Sequence, residues 1–139
     1  AATPIKSDFR SAARVVAAGY QPGELILFHI GYIQYVFDYY FRQPYEGAWA
    51  PATNFRTPEG TYLLGEGEVA ARMAALVQGR SVVWLIYSEA SMWDDRDLVR
   101  RWLEAHGRLT GRWVFQLVEV RRYELPSGSP GFSPLPIAP

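Results

Sequence analysis

Leu25-Ile26-Leu27-Phe28-His29-Ile30 is a continuous apolar run that stops at Gly31. A strand wetted on one face alternates apolar and polar residues; a strand covered on both faces does not. This run therefore reads as a buried strand. Ser81 to Tyr87 (Ser-Val-Val-Trp-Leu-Ile-Tyr) reads as a second one. Two such strands need helices on both sides of the sheet that holds them. The corner at Gly31 leads into a very aromatic segment, Tyr32 to Arg42. Open α/β sheets place ligands at corners of this kind.

The helices are legible from spacing. Ser7 or Asp8 caps a first helix that runs to about Ala18 and stops at Gly19, with Phe9, Ala13, Val16 and Tyr20 on one face. Gln21-Pro22-Gly23-Glu24 reads as a turn. Ile33 to Phe41 reads as a helix closed by Pro44, although its β-branched and aromatic content leaves a strand open. Glu68 to Gln78 reads as a helix with Val69, Met73, Leu76 and Val77 inward and Gly79 as its stop. Ser88 to Asp94 reads as a loop. Asp94 or Asp95 starts a helix ending at His106-Gly107, with Leu98, Trp102 and Ala105 inward, flanked by Val99 and Leu103. An Asp97–Arg101 pair is expected on its wet side.

Residues 43–67 are the least regular, with Pro44, Pro51 and Pro58 and glycines 47, 60, 65 and 67. A short strand is expected near Asn54-Phe55-Arg56. Arg112 to Leu125 alternates more than the other strands and carries Glu119, Arg121 and Arg122. That suits one bent strand or a tight hairpin at a sheet edge. The order of elements implies an α/β fold: a small three-layer Rossmann-like sandwich, its sheet mainly parallel, with helices on both faces and the bent strand or hairpin at its C-terminal edge. Residues 1–125 form a single α/β domain in this reading, and 126–139 a Pro/Gly-rich mobile tail.

Composition mainly excludes. The chain has 139 residues, 49% hydrophobic and 20% charged, which suits one globular core. Basic and acidic residues balance at 14 each, so no charge excess points toward nucleic acid or an anionic membrane, no basic stripe is visible, and no nucleic-acid partner is expected. The absence of cysteine removes disulfides, thiolate metal sites and a Cys nucleophile, and with two histidines no structural zinc is expected. No cofactor is expected in this fragment. No apolar run approaches the roughly 20 residues that span a bilayer, and no signal peptide is visible. A chain that begins at Ala1 without Met and ends in prolines reads as a piece of a longer protein.

Any pocket is expected at the C-terminal ends of the two buried strands. His29, Gly31 and Tyr32 follow one; Ser88, Glu89 and Trp93-Asp94-Asp95-Arg96 follow the other. His29 with Asp94 or Asp95 has the residue types of a base and its orienter, and Ser88 those of a nucleophile. Against this, Ser88 lacks the Gly-x-Ser-x-Gly elbow. His29 sits in an apolar run, and the aspartates stand where a helix start favours acidic caps. Gly65-Glu66-Gly67-Glu68 lacks the spacing of a phosphate-binding loop, and its glutamates would repel phosphate. Aromatics make up 15% of the chain. Tyr32, Tyr35, Asp38, Tyr39 and Tyr40 form a candidate sugar or peptide contact surface, rings stacking on apolar sugar faces and the carboxylate accepting hydroxyls. Core packing with an Asp38–Arg42 surface pair is the commoner outcome for such a segment.

Three stretches together resemble a known family. They are Ser7-Asp8-Phe9-Arg10-Ser11-Ala12-Ala13-Arg14 through Gln21-Pro22-Gly23-Glu24; Phe37-Asp38-Tyr39-Tyr40-Phe41-Arg42; and Val83-Trp84-Leu85-Ile86 followed by Arg96 to Gly107. In order and spacing, over about residues 5–125, they are similar to the C-terminal soluble region of bacterial polytopic glycosyltransferases of the GT-C type, relatives of the dolichyl-phosphate-mannose–protein mannosyltransferases. The family pattern has Trp at Phe9 and Asp at Glu24. The resemblance implies an extracytoplasmic domain, membrane-anchored in the full-length protein. Its implied partners are the membrane-embedded part of the same chain and one of a glycan, a lipid-linked sugar or an acceptor peptide. The family's catalytic carboxylate lies in a loop between membrane helices, so no catalytic residue is transferred here. His29, Tyr32, Tyr35, Asp38, Tyr39, Tyr40, Ser88, Trp93, Asp94 and Asp95 remain as candidate binding residues. Two rivals stand beside this reading: a small α/β hydrolase or transferase working at the strand edge, and a protein interaction module.

Overall fold

The computed structural model describes residues 6–126, so the expected tail at 126–139 lies, but for Pro126, outside the described residues. The chain is a mixed α/β domain. Helix α1 (Phe9–Gly19) leads to β1 (Leu25–His29), a 3-10 turn (Gly31–Ile33) and α2 (Gln34–Tyr40). Strand β2 (Glu46–Trp49), helix α3 (Glu66–Val77) and strand β3 (Val82–Tyr87) follow. The short α4 (Ala90–Trp93), α5 (Leu98–His106), β4 (Arg108–Phe115) and β5 (Val118–Glu124) complete the chain. The strand order is β2-β1-β3-β5-β4.

The sheet is mixed, not mainly parallel. Strand β1 pairs parallel with both β2 and β3, whereas β5 pairs antiparallel with both β3 and β4. The cause is the C-terminal hairpin. Through α5, β4 runs in the same direction as β3, as a crossover requires. A turn at Gln116-Leu117, with Leu117 at φ 60°, then reverses the chain, and β5 takes the slot between β3 and β4. Of the two expectations for residues 112–125, the hairpin is the one that forms, and it starts earlier, at Arg108.

Both buried strands alternate between two cores, which is why neither alternates in polarity. Ile26, Phe28, Trp84 and Ile86 face α1 and α2 together with Val118 and Val120. Leu25, Leu27, Val83 and Leu85 face α3 and α5 together with Tyr123. Within α5 the fully buried positions are Val99 and Leu103, and Ala105 is exposed. Asp97 pairs with Arg100 and accepts the Tyr87 hydroxyl at 3.0 Å; the expected Asp97–Arg101 pair does not form. The strand expected at 54–56 is reduced to an isolated bridge between Arg56 and Tyr62. The true strand of that region is β2, whose Glu-Gly-Ala-Trp sequence has weak strand propensity. Its register against β1 holds it in place.

Position 31, just past β1, is glycine for a steric reason. The ring of Trp49, at the end of β2, lies directly over it, and a Cβ there would overlap the indole. Gly31→Ala is expected to destabilise the fold by about 1–3 kcal/mol through overpacking and to change Trp49 emission. An unaltered unfolding midpoint with unaltered fluorescence would refute this account.

Candidate functional site

The C-terminal ends of β1 and β3 lie side by side, with His29 in register with Tyr87. The ladder runs one residue further: the Ser88 N–H donates to the His29 carbonyl at 2.8 Å, and the Ile30 N–H to the Ser88 carbonyl at 3.2 Å. The chain leaves this edge on one side through Gly31–Ile33 into α2. On the other it leaves through Glu89, in the left-handed region at φ 59°, into α4.

His29 and Asp94 do meet here. His29 Nε2 lies 3.1 Å from Asp94 Oδ2, and both side chains are 0% exposed. The carboxylate accepts, so Nε2 carries the ring proton; Nδ1 is buried without a partner among the described residues. Asp94 accepts three more bonds: from the Thr53 hydroxyl at 2.5 Å and from the Leu98 and Val99 N–H groups at 3.0 Å each. Burial by itself would raise the Asp94 carboxyl. The bonds from His29, Thr53 and the α5 backbone outweigh burial and hold it down at about 2. This carboxylate is the N-terminal cap of α5, acting from four residues upstream. It ties that helix to β1 and to the 50–65 segment.

The arrangement cannot work as a triad. Ser88 is buried, and its hydroxyl donates to the Leu117 carbonyl at 2.7 Å, away from His29. Asp95 is exposed and accepts from Arg56 at 3.2 Å and from Tyr62 at 3.0 Å, so it takes no part with His29. A cleft of about 400 Å³ does open at this edge, between Ser88-Glu89 and the β4–β5 turn at Val114 and Leu117. The histidine and Asp94 lie outside its lining.

The aromatic segment divides cleanly between core and solvent. Ile33, Phe37 and Phe41 are buried, and Tyr40 is half-buried against the same core. Tyr32, Tyr35 and Tyr39, at spacings of three and four, point outward; Tyr35 is 71% and Tyr39 67% exposed. Core packing is therefore not the fate of these three rings. Nor does the Asp38–Arg42 pair form. Asp38 accepts the Tyr45 hydroxyl, and Arg42 donates to the Tyr39 carbonyl at 3.0 Å.

Trp49 and Phe55, which the sequence does not mark as site residues, join Glu89 and the candidate Trp93 in completing the surface. Trp49, 47% exposed, stands edge-on to Tyr35 at 6.1 Å, and its Nε1 donates to Gln34 at 2.6 Å. The Tyr32 hydroxyl donates to the Glu89 carboxylate, an acceptor that raises the phenol's pKa. Trp93 lies between Tyr32 and Phe55, with ring centroids 6.2 Å and 6.0 Å away. The Trp93 Nε1 and Asn54 Oδ1 beside it are buried without partners among the described residues. The strand-end rule points at Glu89 by position alone. Nothing in the local sequence marks Trp49 or Phe55, which arrive from an irregular segment.

No family model, no curated protein and no solved structure matches this chain. Among the described residues no helix is long and apolar enough to cross a membrane, and no group of His, Asp and Glu is placed to hold a metal ion.

Proposed function

We propose that this chain is a non-catalytic, extracytoplasmic recognition domain of a GT-C type membrane glycosyltransferase, and that it contacts sugar through the rings around the β1–α2 corner. One observation carries the reading: Tyr32, Tyr35 and Tyr39 form a row of exposed rings, extended by Trp49, on a domain that buries its other aromatic helix positions. Flat ring faces stack on the apolar faces of sugars, and the Glu89 carboxylate at the end of the row accepts hydroxyl protons. The closed His29–Asp94 pair and the engaged Ser88 favour recognition over hydrolysis. The three-layer Rossmann-like description of the fold belongs to the same proposal, supported by α1 and α2 on one face of the sheet and α3 and α5 on the other.

Titration of the ¹⁵N-labelled chain with a manno-oligosaccharide is expected to shift resonances of Tyr32, Tyr35, Glu89 and the Trp49 indole, with roughly millimolar affinity. Tyr35→Ala should weaken that binding at least about tenfold while leaving stability within about 0.5 kcal/mol, as for other exposed sites. Shifts confined to other surfaces, or none, would sink the sugar reading. The glycosyltransferase assignment is tested separately. The coding sequence upstream of Ala1 should encode a series of apolar segments of about 20 residues each. A start codon directly before Ala1 would overturn it. Ester or glycoside hydrolysis that disappears in a folded His29→Ala variant would favour the hydrolase rival.

A further inference from the structure

Arg10 and Arg14 stand one turn apart on the exposed face of α1, and Arg42 follows the C-terminus of α2. The packing of α1 on α2 brings all three to one groove of about 470 Å³, where Ala13 and Ala17 leave the room and Tyr39 and Tyr40 form the far wall. The Arg10 guanidinium lies over the Tyr40 ring at 5.4 Å, and that of Arg42 over Tyr39 at 5.7 Å. A guanidinium placed over a ring keeps its in-plane N–H donors for another acceptor.

Among the described residues no carboxylate lies within ion-pair distance of Arg10, Arg14 or Arg42. The arginines of the C-terminal hairpin behave differently: Arg108, Arg112, Arg121 and Arg122 all pair with glutamates. Asp8 is close enough to feel Arg14 and Arg10, but its carboxylate caps α1 by accepting from the Ser11 N–H at 3.0 Å. One carboxylate against three guanidinia leaves the groove cationic. Arg10 also sits in the first turn of α1, where the helix dipole disfavours a cation and α1 has no acidic residue. The helix dipole does not favour an arginine there; its contact with the Tyr40 ring and the open side of the groove are what the position offers it.

We propose that this groove binds the phosphate of an anionic phospholipid headgroup and so holds the domain against a membrane surface. Guanidinium forks match phosphate oxygens in pairs. The rings argue for a lipid source over free phosphate. Tyr39 stands beside the arginines, and Tyr35 and Val36 are exposed on the same helix. Apolar bodies next to cationic heads suit the boundary between headgroups and acyl chains. Tyr35 and Tyr39 also belong to the sugar surface proposed above, but the arginines do not, so variants of the arginines test this proposal separately.

The test is co-sedimentation of the 139-residue chain with phosphatidylcholine vesicles, with and without phosphatidylglycerol. Binding is expected on the anionic vesicles only and should fall as salt rises. Arg10→Gln and Arg14→Gln should each weaken it roughly fivefold, with unchanged thermal unfolding. Arg101→Gln, at an exposed position of α5, should leave it unaltered. Equal binding to pure phosphatidylcholine, no binding to either, or full binding by the Arg10→Gln/Arg14→Gln double variant would each overturn the proposal. So would saturation of the groove by inorganic phosphate, followed by NMR, in a chain that ignores vesicles.

Discussion

Asp94→Ala is expected to destabilise the domain by at least about 3 kcal/mol, since each buried donor left unsatisfied costs about 1–3 kcal/mol. The loss strands four donors at once: His29 Nε2, the Thr53 hydroxyl and the first two N–H groups of α5. Against a typical total stability of about 5–15 kcal/mol, that is a large fraction. Asp94→Asn keeps an oxygen toward some of these donors but turns an NH₂ group against others, so its loss should be intermediate. The pH dependence has a definite sign. The Asp94 carboxyl titrates at about 2 in the folded state against 3.8 as its ordinary value. Its contribution is therefore complete above the ordinary value and fades as pH falls through about 2. Urea unfolding at neutral pH and in acid checks both claims. An Asp94→Ala variant with wild-type stability, or an Asp94→Asn variant with the wild-type acid limb, would refute the assignment of this residue to architecture.

Trp84→Ala should cost about 3–5 kcal/mol, as large aromatic truncations in a core do. Trp84 is the largest of the fully enclosed side chains, at 2% exposure in the middle of β3. Its ring stacks on Trp113 with centroids 5.9 Å apart, and the Arg122 guanidinium lies over it at 5.6 Å. Its Nε1 donates to Glu24 at 2.8 Å, an acid buried at the turn into β1. Trp84→Phe separates the two contributions. It keeps most of the ring and removes one of the two donors to Glu24 Oε1, leaving the Gln21 N–H at 2.9 Å, at a cost of about 1–3 kcal/mol for a hydrogen bond to a charged group. A loss under about 1 kcal/mol for Trp84→Ala would mean that the core refills without the indole, contrary to the rigidity expected of packed interiors.

Much of this site was legible in advance, and the illegible parts share a cause. His29 and Asp94 are 65 residues apart, yet the strand-end rule brought them to one edge. Their role was not readable, because burial and the count of donors at one carboxylate are properties of packing. Ser88 looked available until the Leu117 carbonyl of the hairpin turn took its hydroxyl. The aromatic helix shows the same limit. Spacing puts Tyr32, Tyr35 and Tyr39 on one face and Phe37 and Phe41 on another, but it does not say which face meets the sheet. A sequence with no basic stripe still folds into a groove with three unpaired arginines, because two of them are a helical turn apart and the third arrives from another helix.

Local patterning was enough for the elements themselves: two strands without alternation must be covered on both sides, and helices with one apolar stripe must cover them. Asp8 and Gly79 mark helix ends through capping and φ preferences that act within a few residues. Strand direction was beyond that reach. Strand β5 lies between β3 and β4 because a two-residue turn reverses the chain there, and a slot in a sheet is won by long-range pairing. Strand β2 forms on weak propensity because β1 offers it a partner. Which charges end up paired or unpaired was decided in the same way, since electrostatic partners follow from proximity in space, and only the packing of α1 on α2 and of the hairpin on β3 sets that proximity.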